Sequence, residues 1–204
     1  MTGITTVAVS FDVGETRVNA INIKPLMFRL FSEYATEARA VKGVSMDVAL
    51  KRIRMLRQID YMLDGRKVAM DEQTLMQIPI VAARKITKAL DSAETKMGKI
   101  IRGGDGISES IGFELATPLA IFSGKPPITE LEFIAKTYGD VEQLLSADDN
   151  ISQTMALLQT IAKPVHGTLT SLPSAAIDAI TAGDGVAIAQ QVLPRFLGDD
   201  DEAG

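Results

Sequence analysis

The chain has 204 residues, no cysteine and a single histidine, His166. Its length suits one large or two small domains, and its hydrophobic content of 46 % is enough to bury a core in either case. The absence of cysteine excludes a disulfide framework and a zinc site built from Cys and His. Because no run approaches the roughly 18 apolar residues of a spanning helix, we expect a soluble, intracellular protein without membrane contact.

Charge divides the chain into two contrasting halves. Residues 1–102 hold 17 Lys+Arg against 11 Asp+Glu, a net of +6, whereas residues 103–204 hold 4 against 15, a net of -11. An acidic stretch at 199–202 contributes to the second figure. This asymmetry indicates partners, or self-association, selected by charge. We expect such association to weaken when salt screens the charges.

The first half shows a strand pattern followed by helical patterns. Two runs of alternating apolar residues before Pro25 predict a β-hairpin. Apolar residues then recur at helical spacing, first from Leu26 and again from Met46 to Leu63, which predicts two helices. One or two shorter helices follow, interrupted at Pro79 because proline lacks the amide hydrogen and crowds the preceding turn.

The second half has the same order of patterns. Apolar residues at period two predict a hairpin over 111–133. A helix is predicted to begin at Asp140, which would cap it, and the next helix stops at Pro164. A short helix capped by Ser171 and a last one capped by Asp184 complete the half.

The apolar residues of the two halves coincide at many positions when the halves are aligned with a shift of 102 residues. The coinciding pairs are Phe11 with Phe113, Phe31 with Phe133, Ile53 with Met155, Leu56 with Leu158, Ile59 with Ile161, Ile78 with Ile180, Ile86 with Ile188 and Leu90 with Val192. Two α+β domains of equal size could align by chance. Shared element order, turn positions and apolar identity favour a duplication instead.

We therefore predict an α+β protein, mainly helical, with two similar repeats, each a β-hairpin followed by about four α-helices. The first, basic repeat covers residues 1–102, and a glycine-rich linker covers 103–109. The second repeat covers 110–198, and a disordered acidic tail covers 199–204.

Three motifs in the second repeat carry a resemblance. They are ITEL at 128–131 in the hairpin, the helix start YGD at 138–140, and LP at 172–173, which opens a helix whose partner begins at Asp184. Through them the stretch 108–198 resembles the tail assembly chaperones of Mu-like and related long-tailed bacteriophages. The first half lacks the Gly-Asp helix start and the Leu-Pro, so its membership follows from the internal repeat.

The resemblance implies a non-enzymatic protein that uses no cofactor and no metal. Such chaperones bind the long helical tape-measure protein in the host cytoplasm before tail tube protein polymerises around it, and they leave the finished particle. Tape-measure protein is therefore the expected partner, and tail tube protein is a second candidate. Apolar grooves with charged rims would shield the exposed apolar stripes of such a client. The expected partner-binding residues are Phe133, Met155, Leu158, Val192 and Phe196.

Two other functions stay open. The same fold pattern suits a structural tail or baseplate component that is retained in the virion. Nucleic-acid binding through the basic residues of 51–57 ranks below both, because no aromatic platform accompanies them and the chain is acidic overall. Enzymatic motifs are incomplete: the glycines at 103–106 and 183–185 form no P-loop or dinucleotide fingerprint, and His166 reads as an exposed loop residue.

Overall fold

The computed structural model describes residues 3–93 and 96–197. The described residues pack as two units, unit 1 with residues 3–26 and 33–93, and unit 2 with residues 27–32 and 96–197. Helices take 43 % of the described residues and strands 25 %, so the protein is α+β, as predicted, with more helix than strand. Within the described ranges, no helix is both long and apolar enough to cross a membrane.

Unit 1 contains a four-stranded antiparallel sheet in the order of the sequence. Its strands are β1 (Thr5–Val13), β2 (Thr16–Ile23), β3 (Ile59–Leu63) and β4 (Arg66–Val68). The helices are α1 (Phe28–Ala40), whose first turn belongs to unit 2, α2 (Met46–Arg57), α3 (Glu72–Leu75) and α4 (Ile80–Ala93). The core forms where the apolar face of the sheet meets the stripe of α4 that carries Ile86 and Leu90.

Unit 2 contains a second four-stranded antiparallel sheet, again in sequence order. Its strands are β5 (Lys99–Arg102), β6 (Ile111–Leu119), β7 (Ile128–Phe133) and β8 (Ala162–Pro164). The helices are α5 (Tyr138–Leu145), α6 (Asn150–Thr160), α7 (Ser174–Ala179), α8 (Ala182–Gln191) and α9 (Leu193–Leu197). Phe113 and Phe133 meet edge to face at the centre of the core, with ring centroids 6.5 Å apart.

Both predicted hairpins are present, as β1 with β2 and β6 with β7, and α3 and α4 are separated at Pro79 as predicted. The helix predicted from Met46 to Leu63 is wrong in its second part, because α2 ends at Arg57 and Leu63 lies at the end of β3. Alternating burial along β3 and its pairing with β2 outweigh the helical spacing. A turn at Asp64 and Gly65, both with positive φ, then joins β3 to β4.

Two predicted helix caps are replaced by neighbouring residues. Helix α5 begins after Thr137, and Asp140 acts as the capping-box partner, since its Oδ2 accepts from the amides of Lys136 and Thr137 at 2.9 Å each. Helix α7 begins after Pro173 without a side-chain cap, so Ser171 does not cap it. Proline suits this place because it has no amide hydrogen that would need a partner.

Asp184 is the third predicted cap, and it has another role. Thr181 caps α8, and its Oγ1 accepts from the Asp184 amide at 3.2 Å. The fully buried Asp184 carboxylate accepts from the amides of Ala116 at 2.9 Å and Thr117 at 3.3 Å, where β6 shifts register. Burial raises the pKa of Asp184, and these hydrogen bonds oppose that rise. Asp184 therefore ties the irregular part of β6 to α8.

The division between the units differs from the predicted boundary near Gly103. It falls between residues 93 and 96, because Lys99–Arg102 forms β5 and extends the sheet beside β6. Residues 27–32 also belong to unit 2. The predicted acidic tail, 199–204, lies outside the described residues.

These boundaries change the charge of each part. The described residues of unit 1 hold 13 Lys+Arg and 10 Asp+Glu, a net of +3, and those of unit 2 hold 8 and 11, a net of -3. Four cations of the first 102 residues belong to unit 2, namely Arg29, Lys96, Lys99 and Arg102. The opposite signs persist, but the contrast is much smaller than the halves of the sequence suggested.

The pair of Phe31 and Phe133 at the shift of 102 falls on unlike elements. Phe31 lies on α1, whereas Phe133 lies on β7. The loop of the first hairpin is short, at 14–15, whereas that of the second covers 120–127, so the hairpins fall out of step with the later helices. A single shift therefore does not relate all elements of the two halves.

Candidate partner-binding site

Four of the five predicted partner-binding residues lie in the core of unit 2. They are Phe133, Leu158 and Val192, which are fully buried, and Phe196, which is 5 % exposed. Buried side chains stabilise the fold and have no surface to offer a partner, so the prediction is corrected for these four. Met155 differs, because it is half-buried and lines a cavity.

The cavity beside Met155 has a volume of about 190 Å³. The base of the cavity is apolar and is formed by Met155, Leu172 and Ile177. The rim is polar and is formed by Arg29, Gln159, Ser174 and Asp178. The volume is below the roughly 300–1,000 Å³ of small-molecule pockets. An apolar cavity of about 150 Å³ holds a molecule the size of benzene. The cavity therefore has room for one large apolar side chain of a partner.

Two helices of unit 2 supply most of the lining. Asp149 caps α6 by accepting from the amides of Ile151 at 2.9 Å and Ser152 at 3.1 Å. Met155 and Gln159 then lie four residues apart on one side of α6, which places an apolar and a polar group side by side at the cavity. A hydrogen bond from the Leu172 amide to the carbonyl of Ala162, at 2.9 Å, fixes the chain before α7.

The first turn of α1 completes the site, and Phe28 anchors it. The Phe28 amide donates to the carbonyl of Ile180 at 2.8 Å, and Met27 forms a β-bridge with Thr181. The Phe28 ring is 1 % exposed and lies directly over Gly185, where an added Cβ would come within 2.1 Å of its Cδ2. Glycine at this position allows the close approach that holds the next residue, Arg29, at the cavity rim.

An ion pair borders the cavity. Arg29 Nη1 donates to Asp178 Oδ1 at 2.8 Å, and the two side chains are 60 % and 48 % exposed. Exposed pairs of this kind contribute only about 0–1 kcal/mol, so a charged partner that binds here would compete with a weak interaction. The two residues are 149 positions apart, which is why no local sequence pattern indicated them.

The basic helix α2 offers less charge than its sequence suggested. Three of its cations form ion pairs: Lys51 with Asp47 at 2.8 Å, Arg52 with Glu72 at 2.7 Å and Arg57 with Glu37 at 2.7 Å. Arg54, the fourth cation of this stretch, is buried, and its Nε donates to Gln58 Oε1 at 3.1 Å. Paired and buried cations make α2 a poor surface for phosphates.

The three motifs behind the resemblance all lie in unit 2, in β7, at the start of α5 and before α7. Comparison of the chain with protein-family models, with curated proteins and with solved structures found no match. Indications of function therefore come from these motifs and from the geometry of the cavity.

Proposed function

We propose that the protein is a bacteriophage tail assembly chaperone that binds tape-measure protein before the tail tube forms and catalyses no reaction. The cavity at Met155 carries this proposal, because it combines an apolar base with a charged, exposed rim. An amphipathic client helix presents apolar side chains every three or four residues, with charged ones between them. One apolar side chain would fill the cavity while neighbouring charges pair with Arg29 or Asp178.

The size of the cavity favours weak, reversible binding. Full burial of one large apolar side chain contributes about 1.5–3 kcal/mol, whereas a dissociation constant of 1 mM already corresponds to about 4 kcal/mol. A single occupied cavity therefore holds a client weakly. Avidity would arise only between copies that also contact one another along a long client, and weakly held copies would leave when tube protein arrives.

We also propose that the two units descend from one duplicated motif. In each unit the second strand of the hairpin pairs with the strand that follows two helices, as β2 with β3 and β7 with β8. In unit 1 the strand β4 follows β3 and has no counterpart after β8, and in both units a short helix and then a longer helix come after these strands. Ile86 on α4 and Ile188 on α8, 102 residues apart, are both fully buried. This common order supports the duplication, with β5 and the longer second hairpin loop as later differences.

Co-expression of the intact chain with a tape-measure fragment tests the function. We expect the wild-type chain to keep the fragment soluble and to retain it through affinity purification at low salt. Met155→Glu places a charge at the apolar base and should abolish retention. The matched control is Met97→Glu, which changes an exposed methionine of unit 2 away from the cavity, at 43 % exposure.

Each result of this experiment separates two interpretations. Failure of the wild-type chain to retain any fragment at low salt contradicts the chaperone proposal and favours a structural tail component. Equal retention by the wild-type chain and Met155→Glu keeps the chaperone but moves the binding site away from the cavity.

A further inference from the structure

Helix α4 exposes one side that combines apolar and basic residues. Ile80 is 67 % exposed and Val81 77 % exposed at its start. Arg84, Lys85 and Lys88 are exposed and continue the same side at steps of four residues. These five residues are called the α4 face. The three cations form no ion pair with any other residue in 3–93 or 96–197.

Helix α5 exposes a side of opposite charge. Tyr138, Glu142 and Leu145 lie at positions i, i+4 and i+7, with the tyrosine 76 % and the leucine 56 % exposed. Asp148 is exposed just beyond the helix. These four residues are called the α5 face. Among the residues that the structure describes, neither Glu142 nor Asp148 has an ion-pair partner.

We propose that the α4 face of one copy of the chain binds the α5 face of a second copy. With the helices parallel, Ile80 and Val81 meet Tyr138, and Arg84 lies beside Glu142. Ile80 and Arg84 are four residues apart, as are Tyr138 and Glu142, and each spacing corresponds to about 6 Å along a helix. Apolar burial supplies the attraction, while the charges select the partner face and its register.

The α4 face suits a protein better than a nucleic acid. Phosphates would satisfy its three cations, but Ile80 and Val81 would gain nothing against a polyanion. The α5 face offers both apolar and acidic groups. Because the two faces differ, the contact is heterologous: the first copy keeps its α5 face and the second copy keeps its α4 face for further contacts. The proposal goes beyond the chaperone function, and it predicts that copies of the chain associate in the absence of any client.

Sedimentation velocity of the intact chain tests this contact, at rising concentration and at low and high salt. We expect association at low salt and its loss at high salt. Arg84→Glu and Glu142→Arg each place like charges in the contact and should weaken association by at least about tenfold. Lys42→Glu is the matched control, because it makes the same charge change on an exposed loop residue of unit 1 and should sediment like the wild type.

Mixing the two charge variants gives the sharpest result. Each variant alone repels itself, but an equimolar mixture of Arg84→Glu and Glu142→Arg pairs opposite charges at every contact and should associate again. Circular dichroism confirms that both variants are folded. A wild-type chain that stays monomeric at its highest soluble concentration, or a mixture that stays monomeric, overturns the proposal. A monomeric chain that binds duplex DNA through Arg84 overturns it in favour of a nucleic-acid surface.

Discussion

Replacement of Gly185 by alanine tests how the segment 27–32 is held in unit 2. An added Cβ would lie 2.1 Å from both Cδ2 and Cγ of Phe28, and 2.7 Å from its Cβ. Contacts below 3.0 Å are essentially never seen for real Cβ atoms. The ring, which is 1 % exposed, must therefore leave its site or push α8 away.

The cost follows from what the ring loses. Expulsion of Phe28 forfeits about 1.5–3 kcal/mol of apolar burial. It also strains the hydrogen bond from the Phe28 amide to Ile180, which contributes about 0.5–1.5 kcal/mol. Alanine is favoured over glycine within a helix by about 1 kcal/mol, which opposes this loss. We expect Gly185→Ala to lower the free energy of unfolding by about 1–3 kcal/mol.

A double-mutant cycle in chemical denaturation isolates the contact. In the background of Phe28→Ala the ring is gone and only the contact with the residue-28 Cβ at 2.7 Å remains, so Gly185→Ala should cost much less than it does in the wild type. Gly139→Ala is the matched control, because a Cβ there lies 3.8 Å from the nearest atom, Thr137 Oγ1, and should stabilise α5 slightly. An equal cost of Gly185→Ala in both backgrounds would refute the proposed packing of Phe28.

Two further predictions concern the core and the sheet of unit 2. Leu158→Ala removes a fully buried side chain and should cost about 2–5 kcal/mol; an unchanged melting temperature would contradict its burial. The hydrogen bond from Lys163 holds the pKa of Glu132 below its ordinary value of 4.5. Glu132 therefore stabilises the fold above that value and loses its contribution as the pH falls through the lower folded pKa. Glu132→Gln should flatten the acid side of a plot of unfolding free energy against pH, and an unchanged slope would argue against this role.

Local patterns were sufficient to predict both hairpins and the break at Pro79. Each depends on neighbouring residues alone, since alternating burial defines a strand and proline interrupts a helix wherever it stands. Leu63 shows the limit of such patterns. It fits the helical spacing that continues from Leu56 and equally fits the period of two set by Ile59 and Tyr61. Pairing of β3 with β2, and of Leu63 itself with Arg66 of β4, decides in favour of the strand.

The cavity could not be predicted because its residues meet only through the tertiary fold. Met155 and Leu158 are both apolar residues of α6, yet the first lines the cavity and the second is fully buried. Arg29 reaches the rim because Phe28 anchors the first turn of α1 in unit 2, far along the chain from Asp178. The apolar pattern of the sequence therefore assigned core residues to the partner surface and left out the charged rim.

The composition of phage tails, measured by quantitative mass spectrometry, tests the chaperone proposal most directly. Assembly intermediates and finished particles are purified from infected cells, and the copies of this protein per tape-measure protein are counted in each. A chaperone should accompany tape-measure protein in the intermediates and be absent from finished particles. A constant ratio of the two proteins in both fractions would contradict the proposal and identify a structural component of the tail.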